Sequence, residues 1–228
     1  TQKALIQNER LAIMGRMAAS LAHEINNPIQ AVVGCLGLAM EAQVQGEDGL
    51  RFMEVAMDEL RRAARIVHRL RDLGRRGEGR REPTSITELV ERALVLTRNQ
   101  TTHTQVAVTW EAEEDLPLLP VMGDRVQQVF LNLILNAIDA MPAGGELRIQ
   151  ATRTDGPPGV RIAFTDTGVG IPSEHAGRLF EAFHSTKQSG LGLGLYVSRS
   201  IIQEHGGTIS VQSRPGHGST FTVWLPAE

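Results

Sequence analysis

The sequence predicts two domains of different class: an all-α helical hairpin that forms a four-helix bundle as a dimer, followed by an α+β sandwich. Three observations carry this reading. Heptad spacing runs through the first part of the chain, with Ala4, Leu11, Ala18 and Ile25 seven residues apart and Met14 and Leu21 interleaved. A charged, glycine-bearing break follows at Arg75–Pro83. Beyond it, alternating strand patterns such as Val106, Val108 and Trp110 are interspersed with amphipathic helices.

The 228 residues are 41% hydrophobic and carry a net charge of −3. That supports real cores, and nothing in it indicates a nucleic-acid binder. Residues 1–82 hold 13 Lys/Arg against 11 Asp/Glu, whereas the remainder holds 10 against 15. An acidic half that binds an anionic ligand needs a metal ion and backbone donors. The single cysteine, Cys35, gives neither a disulfide nor a zinc site and reads as a small core residue. No apolar run reaches the roughly 18 residues that span a bilayer, and there is no signal peptide. We expect a soluble cytoplasmic fragment without membrane contact. It begins uncapped at Thr1-Gln2-Lys3, so an upstream sensor region, membrane-bound or not, is expected.

In order, residues 1 to about 43 read as one helix, 44–49 as a turn, and about 50–75 as a second helix. The second helix has a stripe of Met53, Met57, Leu60, Ala64 and Val67 and a basic far face of Arg61, Arg62, Arg65, Arg69 and Arg71. A two-helix hairpin cannot bury both stripes by itself, so a homodimer is expected. Interleaved glutamates and the absence of aromatics make Arg75–Pro83 a solvated hinge rather than a nucleic-acid patch. Next, Thr84-Ser85 can cap a helix to about Thr97, with Glu88 placed for a capping box. Strands are expected at 105–111, 118–122, 146–153, 160–165, 208–213 and 219–225. Helices are expected from Gly123 to near Met141 and over 191–205, and 172–190 shows no period.

Two segments stand out chemically. In the heptad register His23 faces away from the seam, Glu24 is adjacent and Asn27 lies one turn on. Pro28 is expected to kink or loosen the helix just past them. A solvated surface histidine is the plain alternative; the carboxylate, amide and proline beside it weigh against that. On the helix from Gly123, an apolar stripe of Val126, Val129, Phe130, Leu133, Ile134 and Ala137 leaves Gln128, Asn132, Asn136 and Asp139 on one arc. Amides spaced one turn apart suit Mg²⁺, which takes few protein ligands beside water and phosphate. An ordinary polar face is the alternative. Asp166 then ends a strand and is followed by Gly168 and Gly170, which lets a flat ring approach the backbone. Gly190-Leu191-Gly192-Leu193-Gly194-Leu195 opens a helix and offers backbone amides to an anion. It lacks the Lys-Ser/Thr of a Walker loop, and no strand directly precedes it.

His23-Glu24-x-x-Asn27-Pro28 resembles the phosphoacceptor box of two-component sensor histidine kinases. Asn132 to Ala140 resembles the family's N box, Asp166 to Ile171 its first glycine box, and Gly190 to Leu195 its second. Between these, Leu179 to Lys187 is similar to the F box and lid, and Gly216 to Phe221 to the closing glycine motif, with Ser219 where threonine is usual. Leu191 stands where threonine is frequent and His184 where an aromatic is common.

The resemblance implies a dimerisation and phosphotransfer domain over 1–76 and an ATP-binding domain over 84–228. It implies Mg²⁺ on Asn136 with Asn132 assisting, and adenine against Asp166, Gly168, Gly170 and Ile171. It further places phosphates near the second glycine box and Lys187, and groups Asp139 and Ser219 with the nucleotide contacts. His23 would take the γ-phosphoryl group with Glu24 holding its tautomer, then pass it to a response-regulator receiver domain. Asn27 would orient water against the regulator's phosphoaspartate, implying phosphatase activity. Two rivals remain: an ATPase clamp of the same nucleotide-binding superfamily and a non-enzymatic signalling scaffold. The first needs a glutamate one turn before Asn136, where Asn132 stands; the second predicts loss of the Asn, Asp or glycine positions, which are all kept.

Overall fold

The computed structural model describes residues 26–40, 48–57, 59–60, 63, 80–184 and 192–228. Two compact units divide the chain, residues 1–76 and 77–228.

In the first unit, residues 26–40 form helix α1 and residues 48–57 begin helix α2, which also includes 59, 60 and 63. Asp48 and Gly49 are already helical, so the second helix includes residues ahead of the expected start at about 50. Helix α1 runs through Pro28 without a break in its assignment. Pro28 and Ala56 are buried. Among the described residues of this unit most large apolar side chains are not: Ile29, Val33, Leu36, Met40, Leu50, Met53, Met57 and Leu60 are each at least 45% exposed. A single hairpin therefore leaves its apolar stripe wet.

The second unit begins with strand β1 (Glu82–Thr84), paired antiparallel to β3 (Leu119–Val121). The expected hinge thus ends earlier than Pro83. Glu82 and Pro83 carry no helix or core signal, and their pairing is set by a partner 39 residues away (Glu82 opposite Val121). Helix α3 (Ile86–His103) starts at Ser85, whose Oγ accepts from the Glu88 amide at 3.3 Å. It outruns the expected end at Thr97; buried Thr97 and Thr101 are kept within it with their hydroxyls satisfied by carbonyls of their own helix.

A five-stranded sheet has the order β2-β4-β5-β7-β6, formed by β2 (Val106–Ala112), β4 (Gly145–Asp155), β5 (Pro158–Asp166), β6 (Thr208–Ser213) and β7 (Ser219–Pro226). Only β2 and β4 are parallel. Helix α4 (Gly123–Ala140) packs between α3 and α6 (Gly194–Glu204) and lies on the sheet; the short α5 spans Ser173–Ala176. The period-two pattern decides which face is covered: Val160, Ile162 and Phe164 of β5 and Phe221, Val223 and Leu225 of β7 are buried against the helices. Phe130, Leu133 and Ile134 of α4 meet them, each contributing about 1.5–3 kcal/mol by burial.

His205, which the sequence reading passed over, pins two helices together. Its Nε2 accepts the Met122 amide at the start of α4 (3.0 Å), and its Nδ1 lies 2.7 Å from the Ile201 carbonyl of α6. An amide can only donate and a carbonyl only accept, so the proton sits on Nδ1 and the ring is neutral. Burial lowers the His205 pKa; Arg81 and Arg125 push the same way, opposed by the Ile201 hydrogen bond and Glu204. The arginines are held close, since Arg81 donates to the Glu204 carbonyl and Arg125 pairs with the Glu204 carboxylate at 3.5 Å.

A folded pKa depressed below 6.5 means that this contribution is complete above 6.5 and is lost as pH falls through the folded value. Thermal unfolding of wild type should therefore lose midpoint temperature between pH 7.5 and 5 more steeply than His205→Gln, which keeps an acceptor for Met122. Parallel pH profiles for the two proteins would contradict the assignment.

Candidate functional site

The site is built where the sheet's buried face runs out. Val160, Ile162 and Phe164 point inward, and the same alternation carries Asp166 inward at the end of β5, where it is 3% exposed. A carboxylate there is tolerable only with donors around it. Asp166 Oδ1 accepts the Gly168 amide at 2.9 Å and the Ser219 amide at 3.2 Å, and the residue has further interactions. Ser219 faces it directly across the β5–β7 ladder.

The turn after Asp166 is tied to helix α4. The Val169 amide donates to the Ala140 carbonyl at 3.1 Å. A Cβ on Gly168 would lie 2.6 Å from that same carbonyl oxygen, so only glycine allows this approach. Gly170 has φ +69°, and a side chain there would strike the Arg214 carbonyl. Ile171 is half-buried, packs on the core, and donates its amide to Ser213 Oγ at 2.8 Å.

The other border is the start of α6, which begins at Gly194 rather than at the expected residue 191. Gly194 sits so close to Asn132 that a Cβ would collide with its Oδ1. Asn132 Nδ2 donates to the buried Ser198 Oγ at 3.0 Å. Its amide thereby locks α4 to α6 and turns its oxygen toward the glycine loop. Asn136, one turn on, is half-buried on the same arc, and Asp139 is exposed and has a partner. Gly192 has φ +62° and is crossed by the Phe183–His184 backbone; Phe183 donates its amide to the Gly192 carbonyl at 3.0 Å. Leu193 is 1% exposed, so its side chain belongs to the interior; Leu195 is half-buried on the core.

Asn132 and Asn136 thus lie on α4, with Gly168 packed on its C-terminal end and Gly194 on Asn132. Asp166, Gly170, Ile171 and Ser219 belong to the turn and ladder around Gly168, and Gly192 to the loop before Gly194. Lys187, Gly190 and Leu191 lie outside the described residues, as do His23 and Glu24. Asn27 is described and exposed on α1. Among the described residues no group of three or more His, Cys, Asp or Glu could hold a metal ion. No helix among the described residues is long and apolar enough to cross a membrane.

The profile of the histidine kinase-, DNA gyrase B- and HSP90-like ATPases matches residues 122–228, and that of the His Kinase A phospho-acceptor domain matches residues 13–79. The chain belongs to the sensor histidine kinases. Over 225 residues it is 34% identical to the sensor histidine kinase ZraS of Escherichia coli K12, covering 99% of this chain and 48% of that protein. It is 36% identical to the signal transduction histidine-protein kinase AtoS of the same organism, covering 99% and 37%. The chain spans half or less of the length of these two curated relatives. Histidine kinase ThkA, solved in complex with the response regulator TrrA, superposes at TM-score 0.77 and 27% identity over 97% of this chain and 64% of that one. The nucleotide-free catalytic domain of ThkA matches at TM-score 0.56 and 32% identity over 63% of this chain and 95% of that one.

For this histidine kinase core, the ATPase profile starts at the first cap of α4. Residues 82–121 nevertheless belong to the same compact unit, supplying α3, one edge strand and the β1–β3 ribbon. Two supports of the site escaped sequence reasoning: Ser213, which receives the Ile171 amide, and Ser198, which engages Asn132. Each is a lone serine whose role exists only through a partner distant in sequence.

Proposed function

We propose that the chain is an ATP-dependent, autophosphorylating protein-histidine kinase that delivers the phosphoryl group to the aspartate of a response regulator. The observation that carries this is the convergence on α4: the Asp166 turn is hydrogen-bonded to its C-terminal end, and the second glycine loop lies against Asn132. A base against Asp166 and phosphates toward the Gly192–Gly194 amides fit that spacing of partners.

Asn136, with Asn132 assisting, would hold Mg²⁺, which when bound neutralises phosphate charge. The protein's own groups do the rest. A ring nitrogen of His23 attacks the γ-phosphorus, forming an N–P bond as the bond to the ADP oxygen breaks. Glu24 holds the other ring nitrogen and stabilises the positive charge that develops on the imidazole. Asn132 occupies the position where hydrolytic relatives need a glutamate base, and its amide is already committed to Ser198. That favours transfer to histidine over transfer to water.

The exposed apolar stripe of the hairpin supports a homodimer through α1 and α2. ThkA is solved with a response regulator, and we assign this chain a partner of the same kind. Asn27, exposed on α1, would orient water against the regulator's phosphoaspartate and give the kinase a phosphatase activity.

With ATP labelled in the γ-phosphate, the wild-type chain should acquire acid-labile label that His23→Ala lacks, while His23→Ala still binds ATP. Label persisting in His23→Ala, or phosphate release without protein label, would overturn the kinase reading. Separately, Asn27→Ala should slow dephosphorylation of the phosphorylated regulator by about a hundredfold while leaving autophosphorylation intact. An unchanged dephosphorylation rate would remove the phosphatase role.

A further inference from the structure

We infer that Ser213 is a positioning residue that fixes the Ser219 hydroxyl as a hydrogen-bond acceptor, so that the base seat selects a purine bearing an exocyclic amine. The inference rests on the proposal that the nucleotide base docks at Asp166.

Strand register lines up three polar residues on the helix side of the sheet end. Asp166 is opposite Ser219, and Ser219 is opposite Ser213. Ser213 Oγ has three partners: the Ile171 amide at 2.8 Å, the Gly218 carbonyl at 2.9 Å and Ser219 Oγ at 2.9 Å. A serine hydroxyl has one proton and two lone pairs. The Ile171 amide can only donate and the Gly218 carbonyl can only accept. The Ser213 proton is therefore committed to Gly218, one lone pair is taken by Ile171, and the remaining lone pair must receive the proton of Ser219. With its proton committed, Ser219 Oγ turns only lone pairs to a ligand. The Ser219 amide is bonded to Asp166 Oδ1, which sets this hydroxyl beside the carboxylate. Two acceptors side by side match the two N–H bonds of an exocyclic amine. A base with hydrogen in place of the amine offers nothing to the lone pair of Ser219 Oγ and one donor fewer to the carboxylate, a mismatch that buried polar groups penalise.

The plainer account makes Ser213 a staple for the Arg214–Gly218 turn. The two accounts separate in discrimination, not in overall affinity. We would titrate ATP and purine riboside triphosphate, which differ only by the amine, into the intact chain and its variants. Wild type should prefer ATP. Ser213→Ala releases the Ser219 hydroxyl to rotate and donate, so the preference should fall by about tenfold. Ser213→Thr keeps the hydroxyl and should keep the preference. Ser219→Ala should lower the preference by a similar factor, and adding Ser213→Ala to it should change the preference no further. Ser213→Cys, a weak donor and acceptor, should move it in the same direction as Ser213→Ala should that variant fold poorly. A staple alone predicts equal weakening of both nucleotides with the ratio preserved, and that result overturns the inference while leaving ATP binding at Asp166 intact. Wild-type protein that binds neither nucleotide overturns both.

Discussion

A carboxylate carried into the interior by strand alternation is costly unless its lone pairs are met by donors. Asp166 occupies that position, and much of the second unit is arranged around meeting its demand. Two backbone amides, from Gly168 and Ser219, converge on one oxygen. To deliver the first, the chain turns so tightly against α4 that a side chain at 168 would enter the Ala140 carbonyl. To deliver the second, β7 must pair with β5 in the register that sets Ser219 opposite Asp166. The proposed base seat is thus a consequence of sheet register and one helix contact, and a shift in either would take a donor away from the buried carboxylate.

Helix α4 is the common wall. Its apolar stripe anchors it in the core, and its opposite arc meets the Asp166 turn at the C-terminal end and the second glycine loop at Asn132. His205 and Ser198 fix α6 against it from either end, through the Met122 amide and the Asn132 amide respectively. The two loops that would cradle a nucleotide are therefore held on one rigid element, which is what placing a phosphate for in-line attack requires. The hairpin has the opposite character. Its large apolar side chains remain exposed in the single chain, which is the state expected of half a bundle.

Much of this was legible in the sequence because it is local. The apolar stripe and polar arc of α4, the Ser85 cap and the alternation of β5 and β7 depend on residues within a few positions of one another. Asp166 followed by glycines also announces itself. The parts that escaped are non-local. Strand β1 has only three residues and exists through its pairing with β3. His205 and Ser213 look like ordinary residues at the ends of a helix and a strand until the Met122 amide, the Ile171 amide and Ser219 arrive from elsewhere in the chain. Leu193 was grouped with the ligand contacts by its place among glycines, yet its side chain completes the core.

The central claim is that the Asp166 carboxylate seats the nucleotide base, and the isosteric change Asp166→Asn isolates it. Asparagine keeps an oxygen for the Gly168 and Ser219 amides but replaces the other oxygen with a donor. Calorimetric titration with ATP and Mg²⁺, alongside hydrogen exchange of the sheet, reads binding and fold together. The account predicts unchanged protection of β5 and β7 with ATP affinity reduced by roughly tenfold or more. Full ATP affinity in a folded Asp166→Asn protein would contradict it.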